Sequence, residues 1–186
     1  MYNQEDYPLL PPRRPKAPPE RRAYAFLVDF ILVWLLSSLV KNILAELLVF
    51  LLLWLTLRVV VVDKNQGQSI GRWAFDLKIS NFESNKQRPP LLTLLKRESI
   101  VAGVAFLAMI GLKVNFRDFL LMLLFLAPLI ADAFTALTDD EYNRTFHDRN
   151  ANTVIIQTRR GYSLDLRLKK WTKEIKRNWQ RRQRKD

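Results

Sequence analysis

Four apolar blocks stand out against a polar, basic background. They run over residues 23–40, 43–62, 99–112 and 119–137. The second is broken only by Glu46 near its start and Arg58 toward its end, and the fourth holds Pro128 and Asp132. The third reaches residue 116 when Lys113 extends its ammonium group to the interface. A bilayer core of about 30 Å asks for roughly twenty apolar residues per helix. The first, second and fourth blocks meet that length. The third is short, and a short span is accommodated by little tilt, by local thinning or by a re-entrant path. The pattern predicts an all-α integral membrane protein with four transmembrane helices, over about 23–40, 43–62, 99–116 and 119–137.

The connections set the orientation. Lys41 and Asn42 alone separate the first two blocks, and residues 113–118 join the last two, so each pair reads as a helical hairpin. The long connection, 63–98, carries Lys64, Arg72, Lys78, Lys86, Arg88, Lys96 and Arg97, and the N-terminal segment carries Arg13, Arg14, Lys16, Arg21 and Arg22. Lys and Arg gather on the cytoplasmic side. Both termini and the long connection are therefore expected in the cytoplasm, with the two short turns outside. Within that connection Trp73, Phe75, Leu77 and Ile79 alternate with Arg72, Ala74, Asp76 and Lys78, the period of a strand. Val154, Ile155 and Ile156 form a second β-branched run. A small two-stranded cytoplasmic cap is the expectation, marginal without a bundle beneath it.

An ionisable group inside a membrane helix is costly and marks a functional site by default. Asp29 lies well inside the first block and Arg22 at its mouth. Seven helical residues turn through about 700°, so the two share a face, roughly 10 Å apart along the axis. Asp132 lies near the end of the fourth, antiparallel block, which brings the two carboxylates to a matched depth of about 8–9 Å. Such a pair can share a proton or hold a cation. Pro128, which removes a helix hydrogen bond one turn before Asp132, suits an opening there. The alternative is structural: Asp29 pairs with Arg22, Arg72 or Arg97 and locks the cytoplasmic end of the bundle. Four helices leave little room for an aqueous path, so transport implies a homo-oligomer or a larger membrane-protein complex.

Composition narrows the chemistry. The chain has no Cys and one His, so neither a thiolate site nor a histidine cluster is available for a metal. His147-Asp148 is accompanied by no Ser or Cys nucleophile with an obvious partner. Gly67 and Gly71 mark a turn, since the Gly-Lys-Ser/Thr of a phosphate loop is missing. No enzyme activity, cofactor or metal is expected. The first twenty residues, polar and Pro-rich, do not read as a cleavable signal peptide but as an extended or disordered arm.

The mean hydropathy of −0.08 hides the division between apolar blocks and basic tails. The net charge is +12, and residues 159–186 supply +9 of it, with twelve Lys and Arg against Asp165, Glu174 and Asp186. Leu164, Leu168, Trp171, Ile175 and Trp179 recur at three- and four-residue spacing, an apolar stripe on a basic helix. Such a helix suits the anionic headgroups of the cytoplasmic leaflet, at about 1 kcal/mol per well-placed basic group; the plainer reading is a solvated topology signal. Nucleic-acid binding would fit the charge, but no recognition motif accompanies it. Three regions result: an arm over 1–20, a membrane domain over 21–156 and a basic amphipathic tail over 157–186.

Several motifs together carry a resemblance. Arg22-Ala23-Tyr24-Ala25-Phe26-Leu27-Val28-Asp29 places an Arg, a small residue three later and an Asp seven later at the entry to the first span. This resembles the opening of the RDD family of small membrane proteins. Gly67-Gln68-Ser69-Ile70-Gly71-Arg72 is similar to that family's Gly-x-Thr-x-Gly-Lys, with Ser69 for Thr and Arg72 for Lys. Arg97 matches a basic residue before the next span. His147-Asp148-Arg149-Asn150-Ala151-Asn152-Thr153-Val154-Ile155 resembles the family's His-Asp-basic-x-Ala-Gly-Thr-x-Val close, with Asn152 where Gly is usual. The resemblance covers residues 21–156. It implies that the namesake residues fall at Arg22, Asp29 and Asp148, and it implies transport of an unidentified ion or small solute. The alternative is a non-catalytic membrane scaffold or assembly partner anchored by the basic tail.

Overall fold

A computed structural model describes residues 15–82, 88–113, 118–139, 141–158 and 163–183, leaving aside the side chains of 175 and 178–183. Helix α1 (Pro19–Ser37) begins with Pro in its first turn, where the missing N–H has no partner to lose. Helix α2 (Ile43–Leu55) is capped by Asn42, whose side-chain oxygen accepts from the N–H groups of Leu44 and Ala45 at 2.9 and 3.2 Å. It passes through one π turn, Thr56–Val60, into α3 (Val61–Lys64). Then come α4 (Ile70–Ala74), β1 (Leu77–Asn81), α5 (Leu91–Lys113), α6 (Phe119–Phe134) with a 3₁₀ turn over Thr135–Thr138, α7 (Phe146–Asn150), β2 (Thr153–Gln157) and α8 (Leu164–Gln183).

β1 and β2 pair antiparallel, Ile79 opposite Ile155, as the β-branched runs suggest. The alternation over 72–79 misleads at its first half, because Ile70–Ala74 is helical under the Ser69 cap and the chain turns at Asp76, with φ of +60°, before the strand begins. Asn152, φ +50°, occupies the left-handed turn into β2, a conformation Asn tolerates better than most residues.

Two further expectations are corrected. The helix that holds the third block is longer than its apolar stretch: α5 runs 23 residues, from Leu91, two turns before that stretch begins. Lys96, Arg97 and Glu98 hide the start of the helix, and Arg97 and Glu98 are buried there among partners of opposite charge. The arm is shorter than 1–20. Pro15 C=O accepts from Gln157 N–H at 3.1 Å, Lys16 bridges to Ile156, and Ala17 is buried, so 15–20 belong to the packed body. Residues 1–14, and the expected outer turn over 114–117, lie outside the described residues.

Lys113 at the end of α5 pairs with Glu46 in the first turn of α2, so the start of α2 and the end of α5 lie at one end. The sheet, α4 and α7 close the other, where α5 meets α7 and α1 meets α4. Between the two ends Phe30, Val33, Phe50, Trp54, Val101, Ala105 and Met109 form an apolar core. Helix α5 presents Ala102, Ala105, Ala108 and Gly111 as buried small residues. A Cβ on Gly111 would stand 2.8 Å from Cβ of Phe125, so this glycine sets how closely α6 approaches. Among the described residues two helical stretches, Ile43–Lys64 and Phe119–Thr138, are long and apolar enough to cross a membrane. Helix α6 buries none of its residues, and Leu120 and Leu124 stand largely bare.

Candidate functional site

Beneath the β-sheet the helices bring together four guanidinium groups and their acidic partners. Asp29, wholly buried on α1, accepts from Arg58 Nη1 at 2.8 Å, Ser69 Oγ at 2.6 Å and Gly71 N–H at 2.7 Å. The motif around Gly71 thus wraps one carboxylate. Gly71 has no substitute, since a Cβ there would lie 2.0 Å from Ala25 C=O on α1.

Glu98 is the hub. Its carboxylate takes Arg58 Nε at 2.9 Å, Arg72 Nη2 at 3.0 Å, Arg97 Nη1 in a short contact, and Trp54 Nε1 at 3.3 Å. Arg58, set on the π turn, also lies over the Trp54 ring, 5.1 Å from its centroid. Arg97 continues the chain of contacts by donating to Asp148 Oδ1 at 2.9 Å, and Asp148 also holds Arg22. Burial opposes the Asp148 charge, but the Arg22 and Arg97 guanidiniums beside it hold its carboxyl well below the usual range.

Arg97 decides the state of His147. Its Nη2 lies 3.0 Å from His147 Nε2, and a guanidinium can only donate, so Nε2 accepts. The proton is then on Nδ1, which donates to Asp132 Oδ2 at 2.6 Å, while His147 N–H donates to Asp132 Oδ1 at 3.1 Å. Burial, with the Arg97 charge beside it, lowers the His147 pKa below its ordinary 6.5. The sign for stability follows. Below about pH 6.5 the unfolded histidine takes a proton that the folded one refuses, so stability falls as pH drops from 6.5 toward the folded pKa, at up to about 1.4 kcal/mol per pH unit. The detergent-solubilised protein should lose thermal stability between pH 7 and 5.5, and His147→Gln should flatten that slope. An unchanged slope in the variant would remove His147 as its cause.

A cavity of about 350 Å³ opens beside this cluster between α1 and α6. Arg22, Arg58, Arg72, Arg97, Asp132 and His147 line its polar side, and Phe26, Leu27, Leu129, Ile130, Ala133 and Leu137 are among its apolar walls. The carboxylates of Asp29, Glu98 and Asp148 stand fully buried.

A family model described as the RDD family matches residues 16–152, well over half of the chain. The chain belongs to the RDD family. No curated protein and no solved structure matches it. With its two long apolar helices, this RDD protein is a membrane protein.

The two namesake positions on α1 do not pair with each other. Arg22 and Asp29 share a face of α1, yet Arg22 pairs with Asp148 and Asp29 with Arg58. Arg72 and Arg97, expected as partners of Asp29, serve Glu98, and Arg97 also serves Asp148. Asp132 is taken by His147 and is not joined to Asp29. Ser69, Glu98 and Arg58 escape the sequence reading. Arg58 carried a signal, being a lone guanidinium in an apolar run, which the rule applied to Asp29 covers equally. On the tail helix Leu164, Leu168 and Trp171 are exposed, while the side chains of Ile175 and Trp179 lie outside the described residues.

Proposed function

We propose that this RDD protein is a four-span membrane protein, with both termini cytoplasmic, that binds an anionic ion or small solute in the α1–α6 cavity as a step in its transport. The observation that carries the reading is on the cavity's polar side, where four arginines contribute to the lining and one of them, Arg72, keeps its Nη1 without a hydrogen-bond partner. A cation path through Asp29 and Asp132 has less support, because each carboxylate is already held by its own donors. The four spans correspond to α1, α2–α3, α5 and α6, with charges on α1 and α5 confined to buried pairs or helix ends.

Inorganic phosphate or acetate should stabilise the purified protein more than sodium chloride at equal ionic strength. At ten times its Kd an anion adds about 1.4 kcal/mol, a Tm rise of about 3–5 °C in a chain of this size. A rise no larger than the chloride control, or one produced only by divalent cations, contradicts the reading.

The exposed tail favours a second role in membrane attachment. Helix α8 leaves Leu164, Leu166, Leu168 and Trp171 uncovered beside Lys169 and Lys170, and Asp165 ties its first turn to Arg21 at 3.0 Å. On this reading the tail lies on anionic lipid at the cytoplasmic surface, next to the mouth of the cavity.

A further inference from the structure

We infer that the cavity's ligand is a single-chain anionic amphiphile, a fatty-acid-like molecule that enters sideways from the cytoplasmic leaflet. The inference rests on the anion-binding reading and narrows it to one class of solute. Two features of the cavity carry it.

The first is an unmatched donor. Arg72 is 1% exposed and lines the cavity, and its Nη1 has no hydrogen-bond partner, while its Nη2 is held by Glu98. A buried donor left open is costly, and a charged acceptor satisfies it best. Arg22 and Arg97 line the same cavity with their charges already paired to Asp148 and Glu98, so the open donor of Arg72 is the group that a carboxylate or phosphate head would satisfy.

The second is the wall. Leu27 on α1 and Ile130 on α6 line the cavity and are each about half exposed, 46% and 51%. The cavity therefore opens between two helices whose outer faces are apolar, with α6 burying no residue. A soluble anion has no use for such walls. An acyl chain does, at about 0.8 kcal/mol for each methylene removed from water. The volume, about 350 Å³, is at the small end for ligand sites, which suits one chain and a compact head. The polar side and the apolar mouth thus match the two ends of a single molecule.

The test uses the full chain in phosphatidylcholine vesicles with a palmitic acid carrying a diazirine in its tail. Photolysis should label α1 near Leu27 and α6 near Ile130. Excess palmitate should compete, and hexadecanol, acetate and inorganic phosphate should compete at least about tenfold less well. Arg72→Gln, which removes one charge-assisted donor, should weaken labelling about tenfold. Ala133→Trp fills the mouth at an exposed position and leaves every charge in place, so it should abolish the labelling in a protein of unchanged melting temperature. If acetate or phosphate competes as well as palmitate, the site takes free anions: this inference fails and the anion-binding reading stands. If hexadecanol competes equally, or labelling spreads over the outer faces and survives Ala133→Trp, the site does not select the charged head and the inference fails. If no anion of either kind competes or stabilises, both fail.

Discussion

Glu98→Gln should destabilise this protein by about 3–5 kcal/mol. The substitution keeps the shape of the side chain and removes its charge. Arg58, Arg72 and Arg97 all donate to that carboxylate from buried positions, and the new amide would point its own donors at them. Removing one member of a buried ionic group costs about 3–5 kcal/mol, because the partner charges remain without compensation. That is a large part of the 5–15 kcal/mol that holds a typical domain together. Chemical or thermal unfolding of the solubilised protein measures the loss. Adding Arg72→Gln should recover part of it, since one of the stranded guanidiniums is then gone, and this non-additivity separates a charge network from a general packing defect. A single variant within about 1 kcal/mol of the wild type would mean that the network does not form.

Gly71→Ala should be nearly as damaging, for a steric reason. The added methyl would sit 2.0 Å from Ala25 C=O, 2.9 Å from its carbonyl carbon and 3.0 Å from Asp29 Oδ1. Backbone cannot yield as a side-chain tip does, so α4 must move away from α1. The Gly71 N–H bond to Asp29 is then lost together with the packing. Overpacking of about 1–3 kcal/mol and loss of a bond to a charged group of about 1.5–3 kcal/mol give about 2.5–6 kcal/mol in all. Gly103→Ala supplies the control, because nothing lies within 4 Å of its added methyl. It should leave stability unchanged or slightly raised. Equal effects at the two glycines would show that close approach at Gly71 is not the cause.

The sequence is most legible where one strong physical signal acts alone. The apolar blocks at 43–62 and 119–137 show the two long apolar helices because length and composition suffice. The β-branched runs reveal the sheet partners, although the strand begins only at Leu77, since the Ser69 cap and its helical turn outweigh the period of two before it. Helical spacing correctly puts Arg22 and Asp29 on one face but says nothing of partners from other helices. Their partners, Asp148 and Arg58, lie 126 and 29 residues away and meet them only through tertiary packing. Glu98 is invisible for a related reason. In a run of Lys96, Arg97 and Glu98 it reads as the wet edge of a span, and only the convergence of α2, α4 and α5 makes it a buried hub. The cavity has no linear signature at all, as its walls come from α1 and α6 and the rest of its lining from segments scattered between Arg58 and Ile155.

The charge cluster, the amphiphile's entry and the tail helix all depend on one arrangement: four spans with the sheet end in the cytoplasm. The chain has no native cysteine, so single introduced thiols report cleanly. Asn42→Cys and Asn115→Cys, in the two short turns, and Lys170→Cys, in α8, should be exposed to a membrane-impermeant maleimide on intact, correctly oriented cells. The account predicts that Asn42→Cys and Asn115→Cys are labelled directly, while Lys170→Cys reacts only after permeabilisation. Labelling of either turn only from the cytoplasm, or of Lys170→Cys from outside, would contradict it.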